Sequence, residues 1–164
     1  MIYSKKENGF TILDLMLTIA IAGIISVVAI PGLKQWSKNY NVQSAAMDLY
    51  SHMQTAKMGS IKENKSWNIN FNPGGLLGYE VHNSAGKTVK KVDFRIQYDG
   101  EILFTDPTAT KTYDAPTLNF NPSGLSDPGY AYISNKSKSK YYRIGIPSIT
   151  GSVRIEQWDG TQWK

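Results

Sequence analysis

Phe10 to Ile30 is an apolar run of 21 residues, FTILDLMLTIAIAGIISVVAI, broken by a single carboxylate at Asp14. As a helix it would measure about 32 Å, enough to cross a hydrocarbon core of roughly 30 Å. A secretory signal has a shorter apolar region, about 7–15 residues, and ends in a small-residue cleavage site. Pro31-Gly32-Leu33-Lys34 offers no such site. The run therefore reads as a retained membrane anchor. Lys5 and Lys6 precede it and Lys34 and Lys38 follow it, so flanking charge says little about orientation.

Asp14 is the costly residue in this run. An unpaired charge in hydrocarbon costs several kcal/mol. Gly9 immediately precedes the run, and a residue without Cβ suits the tight cleft of a protease. Cleavage after Gly9 would create an amino group on Phe10, four residues from Asp14. A charged pair in a low-dielectric setting is directional and can set axial register between subunits. The other reading places Asp14 at interface depth, solvated by headgroups and without a partner. Pro31-Gly32 is expected to kink or interrupt the helix where it leaves the bilayer.

Beyond Pro31 a helical stripe resumes. Leu33, Trp36, Tyr40, Val42, Ala45, Ala46, Leu49, Met53 and Ala56 recur at helical spacing, and Ile61 would close the stripe. The helix is expected to reach about Lys62 and to need a sheet over its apolar side. Strands are predicted at Trp67–Phe71, Tyr79–His82, Lys87–Ile96, Glu101–Phe104 and around Leu118 and Phe120. Three more are predicted at Tyr130–Ser134, Tyr141–Ile146 and Ser152–Trp158, with 105–117 as a loop. About 130 residues follow the anchor, enough for one domain. The chain has no cysteine, so this domain must hold together without disulfides. The net charge is +5; losing Lys5, Lys6 and Glu7 with a leader would make it +4. Such a mild excess permits contact with anionic polymers or lipids without requiring it.

Catalytic and metal chemistry find little footing. His52 falls in the helical stretch and His82 in or beside a strand, neither within a metal or nucleophile motif. Asp127 and Asp159 read as turn residues, with no calcium-ligand ladder around them. No cofactor is expected. The best basic-aromatic cluster is Lys136, Lys138, Lys140, Tyr141, Tyr142 and Arg143, where cations beside aromatics suit a nucleic-acid backbone and its bases. The competing reading is a solvated lysine-rich hairpin loop.

The segment GFTILDLMLTIAIAGIISVVAIP resembles the class III signal of type IV prepilins and type II secretion pseudopilins. Gly9, Phe10, Thr11, Asp14, Leu15 and Pro31 fall on that pattern, although the acid is usually Glu. The remainder resembles the GspH/FimT branch. Its marks are the Ala46 to Ala56 helix stripe, Leu118-Asn119-Phe120-Asn121-Pro122-Ser123-Gly124, and Tyr142-Arg143-Ile144 followed by Gly151-Ser152-Val153-Arg154.

The resemblance implies an α+β fold, a long N-terminal helix packed on an antiparallel β-sheet domain. It divides the chain into a cleaved leader (1–9), a transmembrane and assembly helix (10–30), an amphipathic helix (31–65) and a β-rich head (66–164). It implies cleavage between Gly9 and Phe10 by a prepilin peptidase, which also methylates the Phe10 amine, and an assembly role for Asp14. The implied function is that of a minor pilin or pseudopilin near the tip of a type IV pilus or type II secretion pseudopilus, not an enzyme. Its partners would be other pilin subunits, the prepilin peptidase/methyltransferase and inner-membrane lipid before assembly. Its location would be the bacterial inner membrane, single-pass, with the head in the periplasm or outside. Some FimT-like pilins bind DNA through a C-terminal G-R-x-R pattern. Here Gly151-Ser152-Val153-Arg154 lacks the first Arg, and Lys136, Lys138, Lys140, Arg143 and Arg154 are the nucleic-acid-binding candidates.

Overall fold

The computed structural model describes residues 10–164, apart from the side chains at 28, 30, 31, 34 and 35. The leader, including Gly9, lies outside the described residues. The chain divides into one unit ending at Ser37 and a second from Lys38 to Lys164. Helix α1 (Ile12–Glu63) begins in the first and continues into the second. It passes through Pro31 without interruption, so of the two outcomes expected there, a kink or an interruption, the interruption is not made. Proline removes one helical hydrogen bond but does not end this helix.

In the second unit α1 supplies one wall of the core. Val42, Ala45, Ala46, Leu49, Met53 and Ala56 are fully buried, as their spacing predicts. Ser60, four residues after Ala56, takes the next place, its hydroxyl donating to the Lys57 carbonyl at 2.7 Å. Leu33, Trp36, Tyr40 and Ile61 correct the expected stripe, because all four are exposed. The reason is angular for two of them. Tyr40 and Val42 are about 200° apart on the helix, and Ile61 is turned about 100° from Ser60. Leu33 and Trp36 precede the unit that carries the sheets.

Two antiparallel four-stranded sheets complete the unit. The first has the order β3-β2-β1-β5, from Thr88–Asp93, Gly78–His82, Trp67–Phe71 and Thr117–Phe120. The second has the order β4-β6-β7-β8, from Ile102–Phe104, Gly129–Asn135, Tyr141–Ile146 and Arg154–Gln157. Alternation decides which side chains enter the core: Trp67, Ile69 and Phe71 on β1, and Tyr142, Ile144 and Ile146 on β7. Aromatic edges fill the space between the sheets, with Phe94 5.1 Å from Phe104 and Phe71 stacked on Tyr113 at 5.7 Å.

The third strand is shorter than predicted. It ends at Asp93, whose carboxylate accepts from Arg95 N–H at 2.9 Å and caps a one-turn helix, α2 (Phe94–Gln97). That cap turns Phe94 inward, fully buried. The last strand is also shorter than predicted, four residues rather than seven. Gly145 is required where β7 meets β6, since a Cβ there would lie 2.0 Å from the Gly129 carbonyl oxygen.

Candidate functional site

Helix α1 opens on a capping box. Thr11 precedes the first helical residue, and Asp14 lies three residues on. The Asp14 carboxylate accepts from Thr11 N–H at 3.1 Å and from the Thr11 hydroxyl at 2.7 Å, while Asp14 N–H donates back to that hydroxyl at 3.3 Å. In the single chain, then, the acid has partners of its own. Thr-x-x-Asp before an apolar run was the signal available in the sequence. Phe10 is 91% exposed, and the described side chains from Ile12 to Val27 are likewise exposed. Among the described residues, no helix is long and apolar enough to cross a membrane.

The basic candidates separate into three places. Lys136, Lys138 and Lys140 occupy the β6–β7 turn, with Lys138 in the left-handed region at φ 53°. Arg143 lies mid-strand on the face of the second sheet away from the core, directly across from Glu156. Its Nε donates to Glu156 Oε2 at 2.6 Å, and its Nη2 approaches the same oxygen at 2.5 Å. Its guanidinium also lies 4.6 Å from the Tyr130 ring centre and 5.0 Å from that of Trp163. Arg154 pairs with Gly145 at the far end of β7 from the lysine turn. Tyr142 is buried in the core. The structure therefore does not assemble these residues into one basic-aromatic surface.

The fold instead builds two clusters that sequence reading missed. The first is the C-terminal hairpin. Trp158 bridges to Trp163, and Gln157 and Lys164 exchange backbone hydrogen bonds of 2.6 and 3.0 Å. Asp159 caps the turn, accepting from Thr161 N–H and Gln162 N–H at 2.8 Å each, and meets the Lys164 ammonium at 2.6 Å. These bonds, that to Lys164 foremost, hold its carboxyl well below the usual range. The hairpin thereby covers part of the β8 edge and lays Trp163 over Arg143. The second cluster is under the helix. The Tyr98 hydroxyl donates to Asp48 at 2.5 Å, and His52 Nδ1 meets the Tyr79 hydroxyl at 2.7 Å. Burial pushes the His52 imidazole below its ordinary value, and the nearby Lys90 adds to this. His82 ends β2 beside Glu80, which also holds Lys91 at 2.9 Å. Among the described residues, no three His, Asp or Glu side chains converge on a metal position.

The model of the family described as type II transport protein GspH matches residues 45–149, well over half of the chain. The chain belongs to the GspH family. The matched stretch starts on the buried stripe of α1 and runs through β1 to the end of β7. Two Pseudomonas aeruginosa proteins named fimbrial protein are 34% identical over 61 residues, which is 37% of this chain and 39% of their own length. The type IV major pilin protein PilA of Myxococcus xanthus is 30% identical over 91 residues, 51% of this chain and 41% of that protein. The chain thus spans about two fifths of the length of the curated relatives it matches. The crystal structure of the type IV minor pilin FimU from P. aeruginosa superposes on 79% of the chain and 96% of its own, with a TM-score of 0.53 at 15% identity. That likeness shows the fold: the helix-on-sheet architecture expected for a GspH-family head.

Proposed function

We propose that this chain is a minor pilin or pseudopilin, a structural subunit of an envelope filament of the type IV pilus or type II secretion class, seated near the filament tip. The observation that carries the reading is the membership of residues 45–149 in the GspH family. The exposed apolar face of α1 between Ile12 and Val27 supports it, because an isolated soluble domain gains nothing from such a surface. Residues 10–30 anchor the subunit in the inner membrane before assembly and pack among neighbouring subunits after it. The leader is removed between Gly9 and Phe10, and the Phe10 amine is methylated by the same peptidase. The subunit performs no chemistry of its own. Its partners are other pilin subunits, the peptidase and membrane lipid.

Co-expression with a prepilin peptidase tests this directly. Intact mass should show loss of residues 1–9 and one methyl group on Phe10, with Gly9→Val uncleaved. The processed chain should co-purify with other minor subunits of its host. A chain that keeps its leader in the presence of active peptidase, or that purifies alone from assembling cells, refutes the reading.

A further inference from the structure

The β6–β7 turn carries three ammonium groups on a fixed base. Lys136 and Lys138 are exposed and Lys140 is half-exposed. Among the described residues, no carboxylate lies within ion-pair distance of any of them. The backbone beneath is held by Asn135, which is fully buried. Its Oδ1 accepts from Ser139 N–H at 2.8 Å and Lys140 N–H at 3.2 Å. Its Nδ2 donates to the Ser139 hydroxyl at 2.7 Å and to Asn39 Oδ1 at 3.0 Å. Lys136 N–H donates to the Glu101 carbonyl at 2.7 Å.

The bond to Asn39 fixes where these charges sit along the chain. Asn39 is nine residues past Ile30, the last residue of the apolar run. Nine residues reach about 14 Å as a helix and at most about 32 Å when extended. Along the chain, then, the residue that holds the turn is separated from the apolar run by only this short stretch. Trp36 and Tyr40, both exposed, fall in the same stretch, and such aromatics favour membrane–water interfaces.

We infer that the Lys136–Lys140 turn is a docking surface for anionic phospholipid headgroups. With residues 10–30 in the bilayer, the turn rests on the adjacent leaflet and holds the head against it until the subunit enters a filament. The inference rests on the reading of residues 10–30 as an anchor. Lysine ammoniums are hydrated point charges suited to phosphate headgroups. Nucleic acid fits the turn less well. Tyr142 is buried, Arg143 is bound to Glu156 between two rings, and Arg154 lies at the opposite end of β7, so of that cluster only the half-exposed Tyr141 stays beside the lysines.

The chain has no cysteine, so one introduced thiol reports alone. The full chain carrying Ser137→Cys with an environment-sensitive fluorophore is reconstituted into phosphatidylcholine vesicles, with or without about one-third phosphatidylglycerol. Headgroup-bound quenchers should quench the label strongly in the anionic vesicles and weakly in the neutral ones. Raising salt to about 0.5 M should release it. Lys136→Gln, Lys138→Gln and Lys140→Gln together should abolish the difference. Each lysine contributes roughly fivefold to the docked-to-free ratio, so the triple variant should lose on the order of a hundredfold.

Equal quenching in both vesicles, or quenching unchanged in the triple variant, overturns the inference. Shielding of the label by an oligonucleotide in neutral vesicles, with no response to anionic lipid, overturns it in favour of nucleic acid. A second label at Ile21→Cys separates the two readings. If acyl-chain quenchers fail to reach it, the anchor reading falls. If they reach it while position 137 ignores lipid charge, only the docking inference falls.

Discussion

Adding one methyl group at Gly59 should destabilise the head domain, although alanine is the better helix former. Gly59 lies on α1 where the Trp67 ring crosses it. A Cβ built there falls 2.6 Å from Trp67 Cε2, 2.7 Å from Cζ2 and 2.8 Å from Cδ2. Carbon–carbon contacts are comfortable near 3.5–4.0 Å, so the ring must retreat by about 1 Å. It has little room, being buried and tied by its N–H to Glu63 Oε2 at 2.9 Å. Overpacking costs about 1–3 kcal/mol, and a disturbed Trp67–Glu63 hydrogen bond about 1 more. Helix propensity returns about 1 kcal/mol. The net expectation for Gly59→Ala is a loss of about 1–3 kcal/mol. The assay is a urea titration of the detergent-solubilised chain followed by near-UV circular dichroism. In a Trp67→Leu background the clash is gone, and the same substitution should stabilise by up to about 1 kcal/mol. The sign reversal is the diagnostic, and it amounts to a coupling of roughly 2–4 kcal/mol. Equal stability of Gly59→Ala and the parent, or additive effects in the double variant, would refute the reasoning.

Protonation of His52 should weaken the fold. Its folded-state pKa is depressed, by burial first and by Lys90 second, so the unfolded chain binds the proton more tightly. Stability should be full above the unfolded value of about 6.5, fall as pH drops from there through the folded pKa, and level off below it. In His52→Gln, urea midpoints should lose this part of the pH dependence. Arg143→Lys keeps a positive charge opposite Glu156 but loses the planar stack between Tyr130 and Trp163. It should cost about 1 kcal/mol. Amide hydrogen exchange should accelerate at Gln157 and Lys164, which pair across the C-terminal hairpin, and unchanged exchange there would show that the stack does not hold the tail.

The regular parts of this fold were legible because each follows a local period. The helix stripe from Val42 to Ala56 and the alternation in Trp67–Phe71 and Tyr141–Ile146 name their own buried faces. Legibility stopped where partners come from outside the period. Arg143 counts as a free cation until the β7–β8 register sets Glu156 opposite it, thirteen residues away. Trp163 covers it only after a turn capped by Asp159 folds the tail back. The lysine turn was legible as a charge run, but its anchorage through Asn135 to Asn39 joins residues 96 apart. Asp93 was readable as an N-cap, but a run of strand-forming residues before it hid the stop.

The proposed assembly role of Asp14 and the capping role seen in the single chain can be separated by different substitutions. As the third residue of a capping box it satisfies Thr11 N–H and the Thr11 hydroxyl. A role limited to capping needs only an acceptor at that position. Asparagine supplies one. A role in subunit register needs the charge, for pairing with the amine that the proposed cleavage after Gly9 would create on Phe10. That amine must draw the carboxylate away from Thr11, or share it, when a subunit enters the filament. The shorter reach of Asp favours the closed box, whereas Glu, one methylene longer, could keep the box and still extend to a neighbour. Asp14→Asn and Asp14→Ala should therefore both insert into the membrane and be processed. If charge sets the register, both should be missing from sheared or cross-linked filaments, whereas Asp14→Glu should assemble at least as well as the parent. Incorporation of Asp14→Asn at parental levels would reduce Asp14 to a helix cap and remove the register argument.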